Sequence, residues 1–472
     1  MTPAPNGIIK PLGTTSFKSE NLTMKKKSFL IGALFLDFPN ILQNLVTNLA
    51  ALVDNLMVGG LHEHAIAGVT ITNQVVFIFI VLLFGVSGTA GIFITQYNGI
   101  GNDKKVTEIF KVSLIFSIII SVTFFFIMQF VPELILGFFA ANPDTMAEAF
   151  SYLHFIQYTI LILPISLSIA NAFRFIGHVK IPMYISIITV ALSTFLNFGL
   201  IHGNLGMPAM GVAGAGLGTL IARIVELVIF LVLTIYIKSP IKIQIRTFFE
   251  LKGAMFKSFV QKGYGLVLNE FLWAFGFQTL TVIYTMRISE NIAAMSIATT
   301  FSSLIWVGMG GISVVISIYL GGHLGRNDFD KAMHDSKRLK TISSFMGITL
   351  GSIVFILSLF LVNFFNVAPE IVRTGQIVLL ISVGFSWLHY LNASYFFILR
   401  AGGDTKGVLI IDSLFTWIIM IPAAFIIGRF GLLLPVHFFL VQLFEFAKYG
   451  VANWLYKQGK WLNNLTVEAE NA

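Results

Sequence analysis

Cysteine is absent from the 472 residues. That excludes a disulfide framework, a thiolate metal site and a cysteine nucleophile, and it leaves the redox compartment without a marker. Charge is scarce as well: Asp, Glu, Lys and Arg make up 11% of the chain, against 56% hydrophobic residues and a mean hydropathy of +0.86. So much apolar side chain cannot be hidden inside one soluble core. The composition is that of a polytopic membrane protein, with no soluble domain left over. The net charge of +8 then reports loop topology and not affinity for nucleic acid. The nine His residues are scattered, without the compact set of His, Asp or Ser that a membrane-embedded enzyme needs, so no enzymatic activity and no metal site or cofactor is expected.

Apolar segments alternate with short polar connections at 28–59, 65–98, 108–139, 149–176, 181–202, 209–238, 256–286, 291–322, 334–365, 372–400, 406–428 and 432–457. Several exceed the roughly 20 residues that cross the hydrocarbon, so tilt or protrusion is expected. Residues 1–27 form a polar tail ending in Lys25, Lys26 and Lys27; 239–255 form a basic linker, and 458–472 a second tail. With the N-terminus inside, 26 of the 30 Lys and Arg residues fall on tails and even-numbered loops, and only Arg287, Arg373 and Arg429 on the opposite side. Cytoplasmic loops hold such an excess. The expectation is twelve helices in a plasma (inner) membrane with both termini cytoplasmic, as a monomer.

Laying residue n on residue n + 226 exposes a repeat. Gly85-Val86-Ser87 falls on Gly311-Ile312-Ser313, Gly99 on Gly325, Pro143-Asp144 on Pro369-Glu370, and Arg174, Gly177 and Lys180 on Arg400, Gly403 and Lys406. Two halves of six helices, 28–238 and 256–457, enter the membrane with the same orientation. They are therefore related by a pseudo-two-fold along the membrane normal, with substrate expected between them.

Acids inside such segments are functional-site candidates by default. Asp54 lies deep in the first segment, four turns beyond Pro39, which is a candidate hinge; its alternative is an acid snorkelling to the outer interface. Asp37 lies about 25 Å before Asp54 along a helix, where snorkelling at the cytoplasmic interface is expected. Glu270 is the buried acid of the second half, opposite Asn44 in the repeat. Asp412 either faces Glu270 or caps the eleventh helix. Arg223 with Glu226, and Glu445 with Lys448, have the three-residue spacing of helix ion pairs. Gly211, Gly214, Gly216 and Gly218 look superficially like a nucleotide loop, but with apolar helix around them they suit close helix packing. His62-Glu63-His64 has ligand-type residues in a tight outer turn, where they need not meet a metal.

Three stretches carry a resemblance to the multidrug and toxic compound extrusion (MATE) family: Pro39 with Val53-Asp54-Asn55-Leu56-Met57-Val58-Gly59-Gly60, Arg174 to Pro182 with its repeat at Arg400 to Lys406, and Gly206 to Ala215. The resemblance implies two six-helix bundles in a V that export amphipathic, often cationic drugs in exchange for protons or sodium ions. It assigns ion coupling to Asp54 and places Ser193 and Asn197 where some relatives have Asn and Asp; it also brings in Thr219, which lines the same pocket or is back-bonded within its own helix. Glu270 resembles the seventh-helix Glu used for coupling in another branch, and His389, followed by Asn392, stands where that branch has a tenth-helix Asp. Glu270, Asp412, His389 and Asn392 thus make a second candidate set, for substrate or coupling.

Burial disfavours the charged form of a carboxyl group, which suits a lone acid to proton loading; a sodium ion would instead need several oxygens around a fixed charge. Proton coupling is the expectation, with sodium as the alternative, and small organic cations and the lipid bilayer as partners. A lipid-linked saccharide flippase of the same superfamily is the competing function. It should show a strongly cationic central cavity, yet Arg223 is the single Arg found well inside a segment.

Overall fold

The computed structural model describes residues 26–137, 142–237, 239–242, 253–286, 290–361 and 368–468. Most of the tail 1–27 and of the linker 239–255 lie outside them, as do Lys25, Arg287 and the last four residues. Every major element is a helix. The first half holds α1 (Lys26–Gly59), α2 (Glu63–Gly99), α3 (Asp103–Phe130), the short α4 (Pro132–Gly137), α5 (Pro143–Phe175), α6 (Lys180–His202) and α7 (Gly211–Tyr236). The second holds α8 (Gly253–Thr285), α9 (Glu290–Gly325), α10 (Phe329–Leu361), α11 (Pro369–Ala401), α12 (Thr405–Leu409), α13 (Ile421–Gly428), α14 (Leu434–Gln442), α15 (Phe444–Lys457) and α16 (Leu465–Glu468).

Eleven of the described helices are long and apolar enough to cross a membrane, counting Thr405–Gly428 as one. The twelfth expected segment is present as α14 followed by α15, divided at Leu443, so neither piece alone has the length. The protein is a multi-pass, all-α membrane protein. Local chemistry sets the helix ends. Asn102 caps α3 by accepting from the Lys105 amide at 3.1 Å. Asn142 caps α5, with Pro143 at the first helical position where its missing N–H costs nothing. The third segment, expected to run to 139, stops at Phe130 because Pro132 biases Val131 out of the helical region.

Close packing holds each lobe together. A Cβ built on Gly214 would collide with the Leu200 carbonyl oxygen, so α6 and α7 meet almost backbone to backbone there, and the glycine run serves helix packing as expected. The outer turn does similar work: His62 Nδ1 accepts from the Ala65 amide at 3.2 Å, its Nε2 lies 3.5 Å from Glu148, and His64 Nδ1 is 3.1 Å from Thr145 Oγ1, which fastens α2 to α5.

The lobes meet along α1, α2, α8 and α9, and the meeting is pseudo-symmetric. Gly99 of α2 abuts Gly322 of α9, while Gly325 of α9 abuts Gln96 of α2; the 226-residue offset exchanges these two contacts. Likewise Gly85 sits on Val267 of α8, and its repeat mate Gly311 sits on Asp37 of α1. Hydrogen bonds fasten this same half, the one facing the Lys- and Arg-rich loops. Arg326 donates to the Gly99 carbonyl at 3.1 Å and Gln96 to the Ala401 carbonyl at 3.1 Å. The segment after α15 closes over the joint. Trp461 is fully buried against Gly402, Asn464 donates to the Gly325 carbonyl at 3.1 Å, and the Leu465 amide donates to Gln96 Oε1 at 2.8 Å.

Asp37 departs from the sequence expectation. It does not snorkel: it is 1% exposed, pressed against Gly311 where any side chain would occupy its place, and neither carboxyl oxygen has a hydrogen-bond partner. The helical rise was right, but the position falls inside the lobe interface because α9 crosses α1 there.

Candidate functional site

Between the lobes lies a cavity of about 1380 Å³, walled by both of them. Aromatic rings including Phe84, Trp273, Phe277, Trp306 and Phe396 make much of the wall, and charged side chains stand among them. Seven of the nine residues expected to act here line this cavity, namely Asp54, Ser193, Thr219, Glu270, His389, Asn392 and Asp412, while Asn197 stands behind Asp54 and Pro39 is not in the lining. Pro39 is buried inside the continuous helix α1.

In the N-terminal lobe Asn197, 1% exposed, donates through Nδ2 to Asp54 Oδ1 at 3.0 Å, joining α1 to α6. The Asn197 carbonyl oxygen is buried without a partner. Ser193 and Thr219 line the cavity beside them. Asp54 thus faces the cavity between the lobes, and among the described residues no cation is ion-paired to it.

The C-terminal lobe is wired differently. Glu270 Oε1 lies 3.3 Å from Arg400 Nη1. Asp412 accepts from Asn269 Nδ2 at 3.1 Å and lies 3.4 Å from Lys448 Nζ. Glu445 accepts from Asn392 Nδ2 at 2.8 Å and lies 3.7 Å from His389 Nδ1. Two expectations change here. Lys448 serves Asp412 and Glu445 takes His389 and Asn392, because tertiary partners on α11 and in the turn after α12 outbid the local three-residue spacing. Asp412 caps nothing; the cap of α12 is Asp404, which accepts from the Gly407 amide at 3.0 Å. Asp412 instead sits where the helix loosens into π turns over Ile410–Leu414 and Thr416–Met420, a distortion that frequently marks functional sites.

Arg223 pairs with Glu226 at 2.8 Å, as the spacing anticipated. It is not the cavity's lone cation: Arg174, Arg400 and Lys448 also line the wall. Lys448 was legible as a partner for Glu445, but the two arginines close their helices and resemble loop residues. Their recurrence under the repeat was the available signal.

One sequence profile, that of the MatE family, matches the chain twice, over residues 39–199 and 266–426. The chain belongs to the MatE family. The two matches begin within one residue of the 226-residue offset, so the repeat is the family's own unit. Among the similar proteins, "Probable multidrug resistance protein NorM" of Thermotoga maritima is 25% identical over 396 residues, covering 84% of this chain and 85% of its own. "Probable multidrug resistance protein NorM" of Halalkalibacterium halodurans is 23% identical over 442 residues, covering 93% and 96%. A solved structure described as the outward-facing conformation of a multidrug resistance MATE family transporter superposes with a TM-score of 0.83 at 17% identity, over 93% of this chain and 97% of that one. The MatE fold of two pseudo-symmetric bundles is thereby established for this chain.

Proposed function

We propose that this protein is an antiporter that exports amphipathic organic compounds, drugs among them, in exchange for a cation entering down its gradient, and that it has no enzymatic role. The observation that carries the reading is Asp54, a membrane acid in the cavity wall held by an amide alone. Among the described residues nothing cationic fixes its charge, so the charge can be discharged by an ion. A proton is the favoured ion, because Asn197 replaces the second acid that would help hold a sodium ion; Ser193, Thr219 and the Asn197 carbonyl oxygen supply the oxygens of the sodium alternative. Loading frees Asp54 from its polar partner and lets α1 repack about Pro39. With the basic loops cytoplasmic, the lobes are fastened on the cytoplasmic side and the arrangement is outward-facing. Like the plasma-membrane location and the monomeric state, that orientation belongs to this proposal.

Efflux from proteoliposomes decides the coupling, comparing an imposed pH gradient without sodium with a sodium gradient without a pH difference. Transport driven only by sodium would overturn the proton reading. Single cysteines in the cysteine-free chain test the orientation: Ser19→Cys and Lys252→Cys should label from the cytoplasm alone, and His62→Cys and Asn142→Cys from outside alone. The flippase alternative wants a surplus of positive charge, but Arg223, Arg400 and Lys448 are each neutralised by a carboxylate.

A further inference from the structure

The end of the molecule that carries the Lys- and Arg-rich loops holds a second cluster of charge, outside the cavity. α10 and α15 both pack on α11, and each keeps an exposed stripe: Thr341, Phe345 and Ile348 on α10, Phe446, Gly450 and Trp454 on α15. Both stripes finish at this same end in an exposed lysine, Lys337 and Lys457. Lys340, one turn further into α10, is half-buried, and the charges of both exposed lysines bear on it. Its Nζ stands 3.7 Å from the centre of the Tyr456 ring and 4.4 Å from that of Tyr395, and it donates to the Tyr395 hydroxyl at 3.3 Å. An ammonium held against ring faces with its stem in apolar surroundings is a snorkelling lysine at the membrane edge.

Three cations have gathered here without an anion. Nearby charges of the same helix entry are matched, Lys331 with Asp328 at 3.3 Å and Arg338 with Asp335 at 3.7 Å, whereas among the described residues no carboxylate is ion-paired with Lys337, Lys340 or Lys457. The tyrosine faces favour one ammonium, but they do nothing for the repulsion among three. An anion would. We propose that the cleft where α10 and α15 meet over α11 is a site for an anionic phospholipid, its headgroup phosphate held by Lys337, Lys340 and Lys457 and its acyl chains laid along the two exposed stripes. The stripes favour a lipid over a soluble anion: Phe345 is 70% exposed and Trp454 60%, and a Trp beside lysines belongs at the headgroup level. The site also reaches the joint between the lobes. Tyr456 stacks on Trp461 with ring centres 5.4 Å apart, and four residues on the Leu465 amide donates to Gln96 of α2. A bound headgroup therefore steadies the fastened arrangement. The inference goes beyond the exporter reading and does not depend on it, since it requires only that the chain sit in a bilayer.

Native mass spectrometry of the purified full chain tests this, with phosphatidylglycerol and phosphatidylcholine of identical acyl chains offered in equal amounts. Wild type should retain phosphatidylglycerol preferentially, each of the three lysines contributing about fivefold, the strength of one basic residue at an anionic membrane surface. Joining Lys337→Gln to Lys457→Gln should lower the preference about twenty-five-fold. Both side chains are exposed, so this double variant keeps its fold even if Lys340→Gln does not. Lys340→Arg should keep the preference, and Lys331→Gln, which removes a lysine already matched by Asp328, should leave it unchanged. Phosphatidylglycerol should also raise the melting temperature of wild type more than that of the double variant. Glycerol phosphate at millimolar concentration distinguishes a lipid from a free anion and should displace nothing. The proposal is overturned if wild type binds the two lipids equally or binds neither, if the double variant keeps the full preference or the full melting shift, if Lys331→Gln lowers the preference as much as the double variant, or if glycerol phosphate displaces the lipid.

Discussion

Each lobe joins its first helix to its fifth by an acid–amide bridge, but the roles are exchanged. In the N-terminal lobe the acid is on the first helix and the amide on the fifth, Asp54 with Asn197; in the C-terminal lobe Asn269 is on the first and Asp412 on the fifth. The exchange goes with a different electrical state. Lys448 neutralises Asp412, Arg400 neutralises Glu270, and His389 stands by Glu445. Among the described residues no such cation is paired with Asp54. Two bundles of common ancestry in sequence have thus become a lobe with settled charges and a lobe with unsettled ones, and only the second kind can respond cheaply to an arriving ion.

That contrast can be broken at several points. Asp54→Asn fixes the N-terminal lobe in one charge state: uphill transport should be lost while substrate binding survives, and full activity under either gradient would remove Asp54 from the mechanism. Glu270→Gln should impair export at equal expression and destabilise the protein, because it leaves Arg400 charged and alone; breaking a buried pair from one side costs about 3 kcal/mol. Adding Arg400→Gln should return most of the stability in a thermal melt, a recovery that a purely ligand-binding Glu270 would not produce. Asn197→Asp sharpens the contrast instead. It gives the first lobe a second acid, and flux that gains a sodium dependence absent from wild type is the expected result. The smallest effect is at Asp37, whose carboxyl oxygens are buried without partners. Asp37→Leu should raise the melting temperature by about 2 °C, since exchanging an unsatisfied polar group for an apolar one of similar shape is neutral or stabilising.

Much of this was legible in the chain. Apolar period and loop charge gave the helices, the offset of 226 gave the two bundles, and the cost of charge in hydrocarbon pointed to Asp54, Glu270 and Asp412 before any coordinates were known. What stayed hidden was pairing across helices. The spacing of Glu445 and Lys448 suggested one local bridge; the fold gives each a different partner, because inter-helix geometry is written in no single segment. Asp37 was misplaced for a related reason: distance along a helix says where a residue lies in the membrane's depth, not whether another lobe leans on it there. Arg174 was visible only as one half of a repeated motif, and its place in the cavity wall came from the fold.

The strand of chain from Trp461 to Thr466 touches α2, the loop after α9 and the loop after α11 at once. Any excursion that parts the lobes on this side must tear it from one of them. It is therefore a built-in strain gauge: a fluorophore on Val467, half exposed at its edge, would register each turnover as a change in environment, letting single molecules be counted through their cycle without a label in the cavity or on the substrate.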